Sequence, residues 1–276
     1  MDFALNEIQE ELKTQARAWL AERYPLDRDW DGAGSVASGG AGQQDDRWQE
    51  LAELGWLDVA DAGLGFVEEA LLLEEMGYAL YPGPYLAHVA GGGRIEANGF
   101  AYGDAEGELV ESVDPTRPLR RSAANGKGET PRLRAAMAAE AVGVAQRVLE
   151  LGIQHATTRE QFGKPIGVYQ AVSHQLADTY TDVELARSLA YWAAWCVAEE
   201  DDHAPVAAAA AKAFATEAAV AACERSIQVH GGTGFTWEHP LHRFYKRALW
   251  LEGFGARPSE LRLEVADAVL GITVTA

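Results

Sequence analysis

From Arg132 to Ser226 the sequence leaves few folds open. Met137, Val144, Val148, Leu149 and Ile153 recur at helical spacing, and so do Val172, Leu176, Val183, Ala186, Ala190, Ala193 and Val197, a stripe that steps by threes and fours. An acidic turn, Glu199 to Asp202, and then Pro205 open a third, Ala-rich helix that runs to about Ser226. Long helices joined by short turns pack antiparallel, and Ala141-Val142-Gly143-Val144-Ala145 offers a face small enough for close approach. Two further helices are predicted, from about Pro240 to Leu251 and from Pro258 to Leu270.

The amino-terminal part is also helical in pattern. Leu5, Ile8, Leu12, Ala16, Trp19 and Leu20 share one face, Asn6 with Gln9 makes a capping box, and the helix must end before Pro25. Gly32 to Asp46 has almost nothing to bury and is predicted to be a mobile loop. Arg47 to Leu57 and Phe66 to Leu80 read as helices, with Leu71, Leu72 and Leu73 in the core. From Tyr85 to Thr130 scattered Gly, Pro, Asp and Glu predict irregular chain with short strand candidates such as Glu108 to Val113. The expectation is a mainly α protein in three parts: an amino-terminal helical domain over residues 1–84, a reduced middle segment over 85–130, and a carboxy-terminal helix bundle over 131–276.

Charge narrows the partners. A net charge of −19 argues against nucleic acid and against an anionic membrane, since both need clustered Lys and Arg. Cys196 and Cys223 lie in apolar helical runs and read as small buried hydrophobes in a reducing compartment. Met1 is followed by an amphipathic helix, and no apolar run is read as approaching a membrane span, so a cytoplasmic location is expected.

Two stretches carry residues suited to binding. In Thr157 to Tyr180, TTREQFGKPIGVYQAVSHQLADTY, Arg159 and Phe162 are predicted on a helix-to-helix turn; in Gln228 to Phe235, QVHGGTGF, Gln228 and Gly232 stand at a helix end. Arg159 offers a fork of donors suited to a diphosphate, Phe162 a flat apolar surface, Gln228 an amide that donates and accepts, and Gly232 room for a ligand to approach backbone. Arg159 also reads as a solvated turn residue, and Gly231-Gly232 as a helix cap. His239 and His242 with Glu238 have helical spacing, but no second cluster completes a metal site; no metal is expected, and Glu238 reads as an acid at a helix start. Neither Gly63-Leu64-Gly65 nor the 231–234 run follows a predicted strand, which argues against a dinucleotide fingerprint.

The ordered set T-R-x-Q-F-G-x-P-I, Q-A-x-x-H-x-L-A-D and Q-x-H-G-G-x-G-F-T-x-E-x-P-x-x-R resembles the carboxy-terminal helical domain of flavin-dependent acyl-CoA dehydrogenases, from about Leu133 to Arg247, with a weaker match in the amino-terminal helices. The resemblance implies that Arg159, Phe162, Gln228 and Gly232 reach across a subunit interface to the diphosphate and adenosine of a neighbour's FAD. It also exposes two gaps. Members carry a longer β-rich middle domain with a motif of the type T-E-P-x-x-G-S-D, which this sequence lacks. Their proton-abstracting glutamate stands at one of two positions, which here are Gly255 and Leu133; Glu252 and Glu140 are the nearby carboxylates left as candidates. If position 255 is merely a vacated base, Gly255→Ala should change turnover little.

The resemblance therefore implies one subunit of an α2β2 heteromer, similar to actinobacterial enzymes acting on CoA thioesters of steroid side chains. A second acyl-CoA dehydrogenase-like subunit would supply base, flavin-ring domain and most of the acyl-CoA pocket, and an electron-transferring flavoprotein would accept the electrons. Two other readings stay open: a self-sufficient homo-oligomer using Glu252 or Glu140, and a flavin-free structural or regulatory subunit.

Overall fold

A computed structural model of the chain describes residues 4–28, 47–122 and 129–271; the loop expected at Gly32 to Asp46 lies outside them. Nine α-helices and two small sheets are present among the described residues.

Helix α1 (Glu7–Arg23) starts at the expected capping box, in which the Asn6 side chain accepts from Gln9 N and the Gln9 side chain accepts from Asn6 N. Helix α2 (Arg47–Glu53) is shorter than its apolar pattern suggested, because Gly55 takes a left-handed conformation that ends it. Helix α3 (Phe66–Tyr78) follows and buries Leu71, Leu72 and Leu73 completely.

The middle segment is more ordered than its composition predicted. A short helix, α4 (Tyr85–Gly91), leads into strands β1 (Arg94–Ala97), β2 (Phe100–Gly103), β3 (Leu109–Val110) and β4 (Leu119–Arg121), which form an antiparallel sheet of order β1-β2-β4-β3. Asn98 and Gly99, both at positive φ, make the two-residue hairpin between β1 and β2. Only β3 lies inside the strand candidate read from sequence.

The bundle has the predicted helices: α5 (Pro131–Thr158), α6 (Gln170–Ala198), α7 (Ala204–His230), α8 (Leu241–Gly253) and α9 (Pro258–Leu270). Thr130 caps α5 by accepting from Leu133 N at 3.1 Å. Helix α5 packs on α3 through paired glycines. A Cβ on Gly143 would stand 2.7 Å from Tyr78 N, and one on Gly77 3.0 Å from Glu140 C, so the two backbones touch only because neither residue has a side chain.

One hydrophobic core runs from Ala16 on α1 to Phe254 after α8, and both free cysteines are buried, Cys196 and Cys223 within it. Glu74 on α3 cross-links the layers: it accepts from Tyr191 Oη on α6 at 2.6 Å and pairs with Lys13 on α1 at 2.8 Å and Arg187 on α6 at 3.2 Å. Burial alone would raise the Glu74 carboxyl, but those cations outweigh it and hold it below its ordinary value.

One expectation needs correction. The stretch Ala204–Phe235 is long and apolar enough to cross a membrane by composition. Its alanines disguised that length, and 67% of its apolar window is buried inside the bundle, as befits the core helix that α5, α6, α8 and α9 surround.

Candidate functional site

The link between α5 and α6 is not a plain helix-to-helix turn. Strands β5 (Glu160–Gln161) and β6 (Lys164–Pro165) pair antiparallel across a two-residue loop, Phe162-Gly163, with both φ positive at 53° and 74°. A phenylalanine in the left-handed region is strained by about 1 kcal/mol or more. The pairing of β5 with β6 holds the turn in that conformation, and the Phe162 side chain is 92% exposed.

Arg159 ends α5. Its backbone is fixed, N donating to His155 O and O accepting from Ile166 N, both at 2.8 Å, while its guanidinium makes no hydrogen bond or ion pair among the described residues. Gln228 is exposed in the last turn of α7, and its amide is likewise unengaged among the described residues.

The three glycines after α7 differ in their reasons. Gly231 caps the helix with φ 62°. Gly234 has no room, since a Cβ would lie 2.6 Å from Ile227 O. At Gly232 a Cβ would meet nothing within 4 Å, and φ is not left-handed, so neither backbone nor packing within this chain demands glycine there. The cap reading thus holds for Gly231 alone, and Gly232 keeps open a place where another molecule can reach the backbone.

Three imidazoles bring the two motifs together. His155, one turn before Arg159, stacks on His230 with ring centroids 4.3 Å apart, and His230 meets His239, just before α8, at 4.5 Å. His230 Nδ1 also lies 2.8 Å from Ser226 O. Burial, with His230 and Arg159 nearby, lowers His155; burial lowers His230; burial and the surrounding imidazoles push His239 down to about 4. These neutral rings pack as aromatic bodies that join α5, α7 and the start of α8. The His239–His242 pair does not converge, because His242 turns to Trp237 O at 3.3 Å. Of the five aromatic residues from Phe235 to Trp250, Phe244 and Trp250 are core, whereas Phe235 and Trp237 are 75% and 70% exposed beside the second motif.

The candidate base positions are a separate region. Leu133 is buried in the first turn of α5. Glu140, a candidate base by its place in the sequence, is fully buried: Arg117 bonds its Oε1, and Arg247 donates to the same oxygen at 2.6 Å. Asp114 completes this charged core by pairing with Arg247. Burial would raise Asp114, but Arg247 and a hydrogen bond from Thr116 Oγ1 at 2.7 Å hold its carboxyl below the usual range. Glu140 Oε1 is therefore committed to two guanidinium groups, while Oε2 is buried without a hydrogen-bond partner among the described residues. Glu252, half-buried on α8, is raised by burial and by Glu217 and Glu224 of α7. At Gly255 φ is 82°, and a Cβ would run into the carboxyl end of Glu129, whose Cγ would be 2.8 Å away. Free replacement of Gly255 is thus not to be expected. Nothing in the sequence marks Glu129, which stands just before α5; only the fold carries it to this turn.

The sequence comparisons agree on one kinship. The profile of the acyl-CoA dehydrogenase carboxy-terminal domain matches residues 128–265. Acyl-CoA dehydrogenase IpdE2 of Mycobacterium tuberculosis is 38% identical over 150 residues, covering 50% of this chain and 44% of the relative. IpdE2 of Mycolicibacterium smegmatis is 32% identical over 237 residues, covering 68% of this chain and 74% of the relative. The chain thus spans less than half of the first of these relatives and about three quarters of the second. Among solved structures, the ChsE4-ChsE5 complex from M. tuberculosis aligns with a TM-score of 0.78 at 21% identity over 99% of this chain and 100% of that one. A Tcur3481-Tcur3483 steroid ACAD variant aligns at 0.76 with 24% identity, over 96% and 98%.

Proposed function

Since the chain belongs to the acyl-CoA dehydrogenase family, we propose that it serves as one subunit of a heteromeric FAD-dependent acyl-CoA dehydrogenase, in which it completes a flavin site held mainly by its partner. The observation that carries this reading is a division of labour among its own residues. Arg159, Phe162, Gln228 and Gly232 are exposed, and the Arg159 and Gln228 side chains make no hydrogen bond among the described residues, whereas Gly255 and Leu133 cannot take a proton and buried Glu140 is held through Oε1 by two arginines.

Bound FAD would take up the hydride released in α,β-desaturation of an acyl-CoA thioester. This chain's part is to hold the far end of that cofactor. Arg159 directs a planar fork of donors at the diphosphate and offsets its charge. Phe162 covers an apolar face, Gln228 satisfies a donor and an acceptor, and Gly232 lets the cofactor approach the backbone. Removing the α-proton would fall to a carboxylate of the partner, within hydrogen-bond reach of substrate.

The ChsE4-ChsE5 complex among the structural neighbours supports a second subunit, and the α2β2 arrangement is part of the proposal. The steroid ACAD among the structural neighbours supports a steroid side-chain thioester as substrate. An electron-transferring flavoprotein as acceptor and a cytoplasmic setting complete the proposal.

The test is the visible spectrum and mass of the chain purified alone and then co-expressed with an acyl-CoA dehydrogenase encoded beside it. Colourless alone and yellow as a heteromer is expected, with FAD occupancy falling in Arg159→Ala and Gln228→Ala while assembly and melting persist. A chain that is yellow and oxidises acyl-CoA alone would overturn the proposal, and unchanged occupancy in both variants would remove these residues from the cofactor site.

A further inference from the structure

The turn between α8 and α9 is clamped from three directions. Glu129 reaches it from the segment before α5: one carboxylate oxygen pairs with Lys212 Nζ, and the other accepts from Ala256 N at 3.1 Å and lies 3.3 Å from Arg134 Nε. Lys212 on α7 is fully buried and donates also to Phe254 O at 2.7 Å and Ala256 O at 3.1 Å, which uses all three of its protons. From the middle segment, Asn98 Nδ2 donates to Gly255 O at 2.7 Å. The Glu129 side chain is only 2% exposed, and it lies where a side chain on Gly255 would begin.

We infer that Glu129 is a stopper: it occupies and locks the space into which a residue at position 255 would project, so that this chain's own copy of the turn is closed to a proton-abstracting group. The inference rests on the proposed function for its meaning, since it makes the two halves of the heteromer unequal by construction. The geometry stands without it. Lys212, Ala256 N and Arg134 take three of the four lone-pair sites of this carboxylate, and its burial denies a substrate access to the fourth. Gly255 and Glu129 are two sides of one arrangement, because any side chain at 255 must evict the carboxylate.

The test is a double-mutant cycle on the full chain alone, read as melting temperature, which needs neither partner nor flavin and so stays readable if the heteromer proposal fails. Gly255→Glu should lower melting by roughly 5–15 °C through overpacking and a left-handed backbone. Combined with Glu129→Ala, much of that loss should vanish, because the new carboxylate enters the vacated space and can pair with Lys212. Additive losses, or a Gly255→Glu variant as stable as the parent, would show that the two positions do not share space and would overturn the inference. A second readout separates a stopper from a hidden base. In the purified heteromer assayed with an acyl-CoA, Glu129→Gln should keep turnover within about twofold. A loss of about a hundredfold or more, the scale of a missing general base, in a normally melting variant would make Glu129 catalytic and reject the stopper.

Discussion

Glu140→Gln tests whether the buried carboxylate is structural or chemical. Glu140 Oε1 takes bonds from Arg117 and Arg247, and Asp114 is the other carboxylate in the group, so two guanidinium charges face two carboxylates with Arg117, Glu140 and Arg247 almost or fully buried. Glutamine keeps the shape but leaves two cations facing one anion. Removing one partner from a buried ionic cluster costs about 3–5 kcal/mol. At about 2–4 °C per kcal/mol for a chain of this size, melting should fall by roughly 6–20 °C, measured by calorimetry or circular dichroism at neutral pH. Charge balance can be restored by pairing Arg117→Met with Glu140→Leu, which leaves Arg247 with Asp114, and the double variant should regain a large part of the loss. A Glu140→Gln variant that melts within 1 °C of the parent refutes the reasoning. If that variant also lost turnover, Glu140 would be a base after all.

Other consequences are as direct. Gly143→Ala puts a Cβ 2.7 Å from Tyr78 N and 2.8 Å from Glu74 C, so it should force α3 off α5 and cost about 1–3 kcal/mol or more in denaturant titration; an unchanged midpoint would deny the close contact. Ser226 Oγ donates to Val148 O at 2.8 Å in the buried α5–α7 seam, and Ser226→Ala should cost about 1 kcal/mol by leaving that carbonyl with one donor fewer, a loss the same titration would reveal. The His155, His230 and His239 rings are all lowered in the fold, to about 4 at His239, whereas the unfolded chain takes protons near 6.5. Protons therefore favour the unfolded state: stability should be full above about pH 7 and decline as pH falls towards 4, and His239→Gln should flatten that decline. A pH profile that His239→Gln leaves unaltered would exclude the cluster as its source.

What the sequence determined is what periodicity and turn chemistry control locally. The apolar stripes fixed α5 to α9 to within a few residues, the Asn6 box fixed the start of α1, and the spaced motifs fixed the family and the residues that stand free at the ends of α5 and α7. The middle segment was harder because its strands are two to four residues long, too short to show alternation, although Asn98-Gly99 is a hairpin signal that could have been read. Tertiary structure alone decided the fate of the charges. Nothing near Glu140 in sequence announces Arg117 or Arg247, and nothing near Gly255 announces Glu129, Lys212 or Asn98. A carboxylate's chemistry is set by what the fold brings within a few ångströms of it, and at Glu140 those groups arrive from positions 23 and 107 residues away.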